Sequence, residues 1–283
     1  MTTEMPANAA TDRHTKIATW NVNSIRARLD RLLAWLDTRR PDVVCLQETK
    51  VADDDFPIAE LRQAGYAAEI FGQRTYNGVA ILTRNPPVGV VRGLGDLVRG
   101  FGDTMDDPQC RFIAATVLTD REPLRVASVY VPNGGAVGTD KFVYKLEWLR
   151  RWRSWLEATA GSGPPLLLCG DFNIAPEDRD VCDPVAWAGQ VLCHPDERAA
   201  LAAIRACAPG FDDLFRRLNP DLNAFSWWDY RQLAFPRNQG LRIDHIYGSP
   251  PLAARCRGVI IDREARKGKL PSDHAPVIAE FAL

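Results

Sequence analysis

The sequence carries almost no net charge: 35 Lys and Arg against 36 Asp and Glu leave −1. No global basic field announces a polyanionic partner, so any nucleic acid has to meet a local basic face. No apolar run approaches the ~20 residues that span a bilayer. Residues 1–15 lack the continuous apolar stretch of a signal peptide and read as a disordered tail. The protein is therefore expected in the cytoplasm. The seven cysteines (45, 110, 169, 182, 193, 207 and 256) include no Cys-x-x-Cys pair. Several sit in apolar runs such as Val43-Val44-Cys45-Leu46, which suits buried free thiols in a reducing compartment. Cys182, Cys193 and His194 lack the spacing of a zinc site and read as packing. Neither Gly-x-Ser-x-Gly nor a P-loop occurs, so acyl-serine and nucleoside-triphosphate chemistry have no support. There is no internal repeat and no low-complexity linker, and residues 16–283 read as one domain.

What is present suits a folded α/β protein, with 46% hydrophobic and 25% charged residues. Strand-like runs are expected at Lys16–Val22, 43–46, 78–82, 112–118, 124–131, 166–169, 242–247, 259–262 and 277–282. A helix is expected from Ile25, with Ser24 as N-cap and Pro41 ending the run. A second covers 140–159, with Phe142, Leu146, Leu149, Trp152 and Leu156 on one stripe, and two more lie at about 196–207 and 211–218. The stretch 92–110 reads as a loop. Strands outnumber helices and few strand–helix–strand units alternate, which favours a mixed or antiparallel α/β sandwich over a doubly wound parallel sheet.

Six of these strand-like runs end in small polar or acidic residues: Asn21 and Asn23; Glu48; Tyr130 and Asn133; Asp171 and Asn173; Asp244 and His245; Asp273 and His274. Taken singly, each is an ordinary turn. Together they imply strand ends gathered at one rim, where sites are built. Glu48, Asp273 and Asn23 offer oxygen ligands without a thiolate or a histidine cluster, which suits Mg²⁺ or Mn²⁺ rather than zinc. Tyr130, Asn133 and Asn173 are neutral donors fit for phosphate oxygens. Asp171 can exchange a proton with water or a leaving oxygen, and Asp244 can hold His274 in one tautomer. The sum is metal-assisted attack of water on a phosphodiester.

The ordered set Trp20-Asn21-Val22-Asn23-Ser24-Ile25-Arg26, Leu46-Gln47-Glu48-Thr49-Lys50, Tyr130-Val131-Pro132-Asn133-Gly134, Gly170-Asp171-Phe172-Asn173, Trp227-Trp228-Asp229-Tyr230-Arg231 with Arg242-Ile243-Asp244-His245, and Ser272-Asp273-His274-Ala275-Pro276 resembles the exonuclease III family of apurinic/apyrimidinic endonucleases. The likeness runs from about residue 16 to 282. It implies a four-layer α/β sandwich of DNase I type, with two mostly antiparallel or mixed sheets flanked by helices. It also implies Mg²⁺-dependent cleavage of duplex DNA 5′ to abasic sites, with 3′→5′ exonuclease and 3′-phosphatase or phosphodiesterase activity on blocked 3′ ends. By this resemblance Glu48 is the principal metal ligand, with Asp273 and Asn23 near the ion. Some relatives have Asp where Asn23 stands, and a neutral amide ranks below Glu48 as a cation ligand. Asp171 activates water or protonates the leaving 3′ oxygen, and Asn173 positions the nucleophile. Tyr130, Asn133, Asn21 and His274 meet the scissile phosphate, and Asp244 orients His274.

The resemblance also places Trp227, Leu241 and Ile243 around a small apolar pocket for a flipped-out abasic sugar, and Arg231 where relatives insert a side chain into the DNA. Backbone contacts need cations. Arg26, Arg28, Arg74, Arg111, Arg237, Lys267 and Lys269 lie near the motifs, whereas Arg150, Arg151 and Arg153 read as a solvated helix face. A monomer is expected. Two alternatives remain at this level. One is a phosphatase of the wider superfamily acting on a small phosphoester, against which Trp227-Trp228 and Arg231 argue. The other is a DNA-binding module with a dead site, which would show losses at Glu48, Asp171 or Asp273.

Overall fold

A computed structural model describes residues 14–95, 107–161 and 163–283. The expected tail falls on residues of which 1–13 lie outside that description, as do residues 96–106 of the expected loop. In chain order the strands are β1 (Thr15–Asn21), β2 (Val43–Gln47), β3 (Ala67–Phe71), β4 (Val79–Thr83), β5 (Val88–Arg92), β6 (Phe112–Leu118), β7 (Pro123–Tyr130), β8 (Leu166–Asp171), β9 (Asp212–Asp213), β10 (Asp244–Gly248), β11 (Cys256–Ile261) and β12 (Val277–Phe281). The helices are α1 (Ile25–Arg39), α2 (Ile58–Gln63), α3 (Asp140–Thr159), α4 (Pro184–Trp187), α5 (Pro195–Arg205), α6 (Leu214–Leu218) and α7 (Pro250–Arg255).

The strands form two six-stranded sheets, ordered β11-β12-β1-β2-β4-β3 and β5-β6-β7-β8-β10-β9. Each is mixed, with one parallel pair, β1/β2 in the first and β7/β8 in the second, and the other neighbours antiparallel. Alternation along the strands divides the core. Ile17, Val43, Cys45, Ile81, Ile113, Val126, Cys169 and Ile246 pack in one cluster that holds residues of both sheets. Their neighbours Ala18, Val44, Leu46 and Leu82 share a second cluster with Leu32, Trp35 and Leu36 of α1, and Ala114, Ala127 and Leu168 share a third with Trp148, Trp152 and Trp155 of α3. Both faces of the central strands are thus covered, which is why they read as continuous apolar runs. The order of layers is helix, sheet, sheet, helix, the expected sandwich.

Some local readings shift. α1 carries the expected cap, Ser24 Oγ accepting from Ala27 N at 3.4 Å, but Arg40 in a left-handed turn (φ 49°) closes it before Pro41 acts. The helix expected at 211–218 begins only at Leu214, because Asp213 is its N-cap and pairs with β10 as part of β9. β3, β5, α2 and α7 were not read from periodicity. The buried stripe of α3 includes Lys145 as well as its aromatics.

The six polar strand ends need one correction. Asp244 opens β10 and Asp273-His274 precedes β12, so neither pair ends a strand. They still reach the same rim. β10 runs antiparallel to β8 with Asp244 opposite Asp171, and β12 runs antiparallel to β1 with Val277 opposite Thr19. Gly170 lets β8 lie close against β7, since a Cβ there would meet the backbone of Val129.

Candidate active site

Asn21, the last residue of β1, ties the two sheets together. Its Nδ2 donates to Glu48 Oε1 at 3.0 Å and to Asp171 Oδ2 at 2.9 Å, while its Oδ1 accepts the backbone N–H of Asn23. Glu48 follows β2 in a left-handed conformation, φ 51°. Its Oε1 also accepts from Tyr130 Oη at 2.7 Å, and its Oε2 lies 2.9 Å from Lys50 Nζ. Burial opposes the charge on Glu48, but Lys50 and Asn21 outweigh it and hold the carboxyl below its ordinary value.

Asp171 ends β8 and is buried. Oδ1 accepts from Asn173 N at 2.9 Å, and Oδ2 accepts from Asn21 Nδ2 and from Asn173 Nδ2 at 3.2 Å. Burial pushes its carboxyl up to about 7, against the pull of His274. Asn173, φ 49°, also donates to Val131 O at 3.0 Å and accepts from Asn133 Nδ2 at 3.2 Å. Non-glycine residues in the left-handed region cluster here: Asn23, Ser24, Glu48, Lys50 and Asn173. Such conformations persist where surrounding bonds dictate them, and they concentrate at functional sites.

Asp273 and His274 are held by more than their flanking prolines. Ser272 Oγ donates to Asn21 O at 2.7 Å and accepts from His274 N at 3.2 Å, and Trp20 Nε1 donates to His274 O. His274 Nδ1 donates to Asp244 Oδ2 at 2.9 Å. Burial disfavours the imidazolium, but Asp244 and Asp171 prevail and raise His274 to about 10. Asp273 Oδ1 accepts from Asn23 Nδ2 at 2.9 Å and Oδ2 from Trp227 Nε1 at 3.0 Å. The carboxyl lies below its usual value, because His274, Asn23 and Trp227 outweigh burial.

Among the described residues, ligand atoms of Glu48, Asp171 and His274 lie within 4.8 Å of one another. His274 is a poor member of that set, since a protonated ring bonded to Asp244 has no lone pair to give. The oxygens are suitable. Lys50 Nζ sits 2.9 Å from Glu48 Oε2 and 2.6 Å from Asn23 Oδ1, so an ammonium already occupies a place built for positive charge. Hard oxygen donors around a cation position fit a divalent ion of the Mg²⁺ or Mn²⁺ kind.

The remaining expected residues divide. Trp227 packs with Leu241 and Ile243 in one apolar cluster, whereas Trp228 is fully buried against Phe235. Arg111 lies over the Tyr130 ring, 4.7 Å from its centroid, at the rim. Arg26 pairs with Asp55, and Arg231 is 85% exposed and paired with Asp229, so neither joins the cluster. Arg150, Arg151 and Arg153 pair with Glu147 and Glu157 along α3. Sequence reasoning missed Lys50, two residues beyond Glu48, and Ser272, beside Asp273. It also missed Tyr230, whose hydroxyl meets Arg28 and Pro271 O. A cation next to an acidic strand end was the available signal for Lys50.

The sequence pattern of the endonuclease/exonuclease/phosphatase family matches residues 18–274. Exodeoxyribonuclease III of Haemophilus influenzae is 39% identical over 94% of this chain and 99% of its own. A 3′ phosphatase from Neisseria, NExo, solved bound to product DNA hairpin, superposes with a TM-score of 0.88 at 42% identity, covering 94% of this chain and 99% of that one. An AP endonuclease from Archaeoglobus fulgidus has a TM-score of 0.86 at 37% identity, covering 95% and 100%.

Proposed function

The chain belongs to the endonuclease/exonuclease/phosphatase family, and from that premise we propose that it is a Mg²⁺-dependent DNA-repair nuclease. It hydrolyses the phosphodiester 5′ to an abasic site in duplex DNA and clears blocked 3′ ends by 3′→5′ exonuclease and 3′-phosphatase activity. The observation that carries this reading is the Asn21 bridge, which joins Glu48 and Asp171 from two different sheets beside His274. No stability argument requires three ionisable groups to converge at a rim; phosphate hydrolysis does.

Glu48, with Asn23 and Asp273 beside it, would hold the metal, which when bound supplies positive charge to a phosphate oxygen. A neighbouring cation also favours the ionised form of Asp171. Asp171 then accepts the proton of the attacking water, oriented by Asn173. His274, kept protonated by Asp244, offers its Nε2 proton to a non-bridging phosphate oxygen, Asn133 gives its second amide proton there, and Tyr130 and Asn21, beside the phosphate, give their protons to Glu48 and Asp171 and hold those carboxylates in place. Trp227 over Leu241 and Ile243 forms the apolar side that receives a sugar without a base. Arg26, Arg111 and Arg231 serve the DNA strands, and the protein acts as a monomer.

The test uses three duplexes, one with an abasic site, one intact and one with a 3′-phosphate, each with Mg²⁺ or with EDTA. Metal-dependent incision of the abasic duplex and dephosphorylation of the 3′ end are expected. No metal-dependent turnover on any of them would overturn the proposal.

A further inference from the structure

Lys145 lies in the middle of α3 with its side chain fully buried, a rare place for a lysine. Two carbonyls accept from its ammonium, Asn173 O at 2.7 Å and Asn133 O at 3.2 Å, and Glu197 Oε1 of α5 pairs with its charge at 2.5 Å. Glu197 is itself anchored, with Oε2 accepting from His194 N at 3.1 Å at the start of α5. The lysine stem runs past Gly134, where a Cβ would come within 3.0 Å of Lys145 Cδ; the φ of +93° there also favours glycine.

Stability alone gives little reason for this pair. Two ions taken out of water lose hydration that their mutual attraction barely returns, and an apolar pair of similar volume is often as stable. What an apolar pair cannot do is bind two inward-turned carbonyls. Those carbonyls belong to Asn133 and Asn173, whose side chains bond one another at 3.2 Å. Asn173 in turn contacts Asp171 through both its backbone N–H and its Nδ2.

We propose that Lys145, locked by Glu197, is a positioning residue for the reaction, fixing the backbones of Asn133 and Asn173 so that both amides face the scissile phosphate. This rests on the reading that those two asparagines serve the phosphate. Lys145 touches no substrate and acts only through them.

The decisive variant is Lys145→Met with Glu197→Gln, which removes both charges at similar volume and keeps an acceptor for His194 N–H. It is expected to fold with a lower melting temperature, since two buried carbonyls lose their donor, and to keep the affinity for an abasic duplex in EDTA close to wild type. Its kcat falls about 10- to 100-fold with KM little changed, the scale expected when a reacting group is misplaced by a fraction of an ångström or more. The side-chain amide resonances of Asn133 and Asn173, followed in DNA-free protein labelled with ¹⁵N-asparagine, should shift. Glu197→Gln alone lowers the melting temperature, because Lys145 loses its buried countercharge, but leaves an amine, charged or neutral, with protons for both carbonyls, and should retain near-wild-type kcat. Wild-type kcat in the double variant, with or without amide shifts, overturns the proposal, as does a Glu197→Gln loss equal to that of the double variant. If wild-type protein cleaves no DNA, the functional reading fails, and unshifted amide signals would then reject the positioning claim separately.

Discussion

His274 donates through Nδ1 to Asp244 at 2.9 Å, and its other ring nitrogen stands 3.7 Å from Asp171 Oδ2. An ionised carboxylate only accepts, so Asp244 requires the proton on Nδ1. The ring therefore either carries a second proton toward Asp171 and the phosphate or presents a bare Nε2 there. With two carboxylates around it in a buried site, the charged form prevails. One residue opposite Asp171 in the β8–β10 register thus sets what His274 can offer a substrate.

Replacing Asp244 with Asn tests this. The amide keeps the shape, removes the charge, and can donate as well as accept, so the imidazole loses both its fixed tautomer and its reason to be charged. A loss in kcat of roughly ten-thousandfold is expected, the order seen when a carboxylate partner of a working histidine is neutralised. The ¹⁵N shifts of His274 should move from the doubly protonated pattern to a neutral one near pH 7. A variant with unchanged histidine shifts and normal turnover would remove Asp244 from the mechanism.

Much of this site was legible because its residues are unusual for strand ends. Asn21, Glu48, Tyr130 and Asp171 each terminate or directly follow an apolar run, and such runs mark buried strands. Direction was not legible. Asp244 opens β10 and Asp273 precedes β12, and only pairing partners reveal that an antiparallel strand brings its start to the rim where its neighbours finish. Lys145 escaped for another reason. Apolar periodicity counts a lysine as solvent-facing, so a charge buried for its hydrogen bonds reads as a gap in the stripe. β3 and β5, with intermediate or exposed positions, lack the continuous apolar signature of the central strands.

The contact between Lys50 and Glu48 makes a prediction about metal. The ammonium and an incoming cation compete for Glu48 Oε2 and Asn23 Oδ1. At about a hundredfold above its Kd, Mg²⁺ should stabilise the wild type by about 2.7 kcal/mol. Glu48→Ala is expected to abolish that metal-induced rise in Tm. Lys50→Met should bring it in at lower Mg²⁺, measured without DNA. An unchanged Mg²⁺ midpoint in Lys50→Met would show that the ammonium does not compete.

Two buried groups set opposite edges of the pH range. Burial favours protonated Asp213, but Arg242 overrides it and holds the carboxyl at about 2, below the ordinary 3.8 of an aspartate. Its stabilisation is therefore present above 3.8 and lost as pH falls through about 2. His274 is raised from 6.5 to about 10, so its contribution is present below 6.5 and lost as pH rises through 10. In EDTA, Asp213→Asn should cost about 3–5 kcal/mol at neutral pH, since Arg242 loses a buried partner. That deficit should narrow toward pH 2. His274→Gln should flatten the decline between pH 6.5 and 10. Melting curves across pH decide both, and a constant deficit would contradict the assignment.

The adjacent tryptophans should separate stability from selectivity. Trp228 is fully buried, packed edge-on against Phe235 with ring centroids 5.1 Å apart. Trp228→Ala leaves a large cavity and should cost about 3–5 kcal/mol, while folded protein keeps its preference for abasic duplex. Trp227 is half-buried, pairs by backbone with Leu241, and gives its indole N–H to Asp273 Oδ2 at 3.0 Å. Trp227→Ala opens to solvent, so its cost in Tm should be the smaller of the two. Its loss should appear in catalysis. Asp273 loses a donor worth about 1.5–3 kcal/mol to a charged acceptor, and the wall proposed to receive the sugar disappears. The ratio of incision at an abasic site to degradation of intact duplex should therefore fall in Trp227→Ala and hold in Trp228→Ala. The opposite pattern, selectivity lost with Trp228 and kept without Trp227, would move the sugar-binding wall to the other ring.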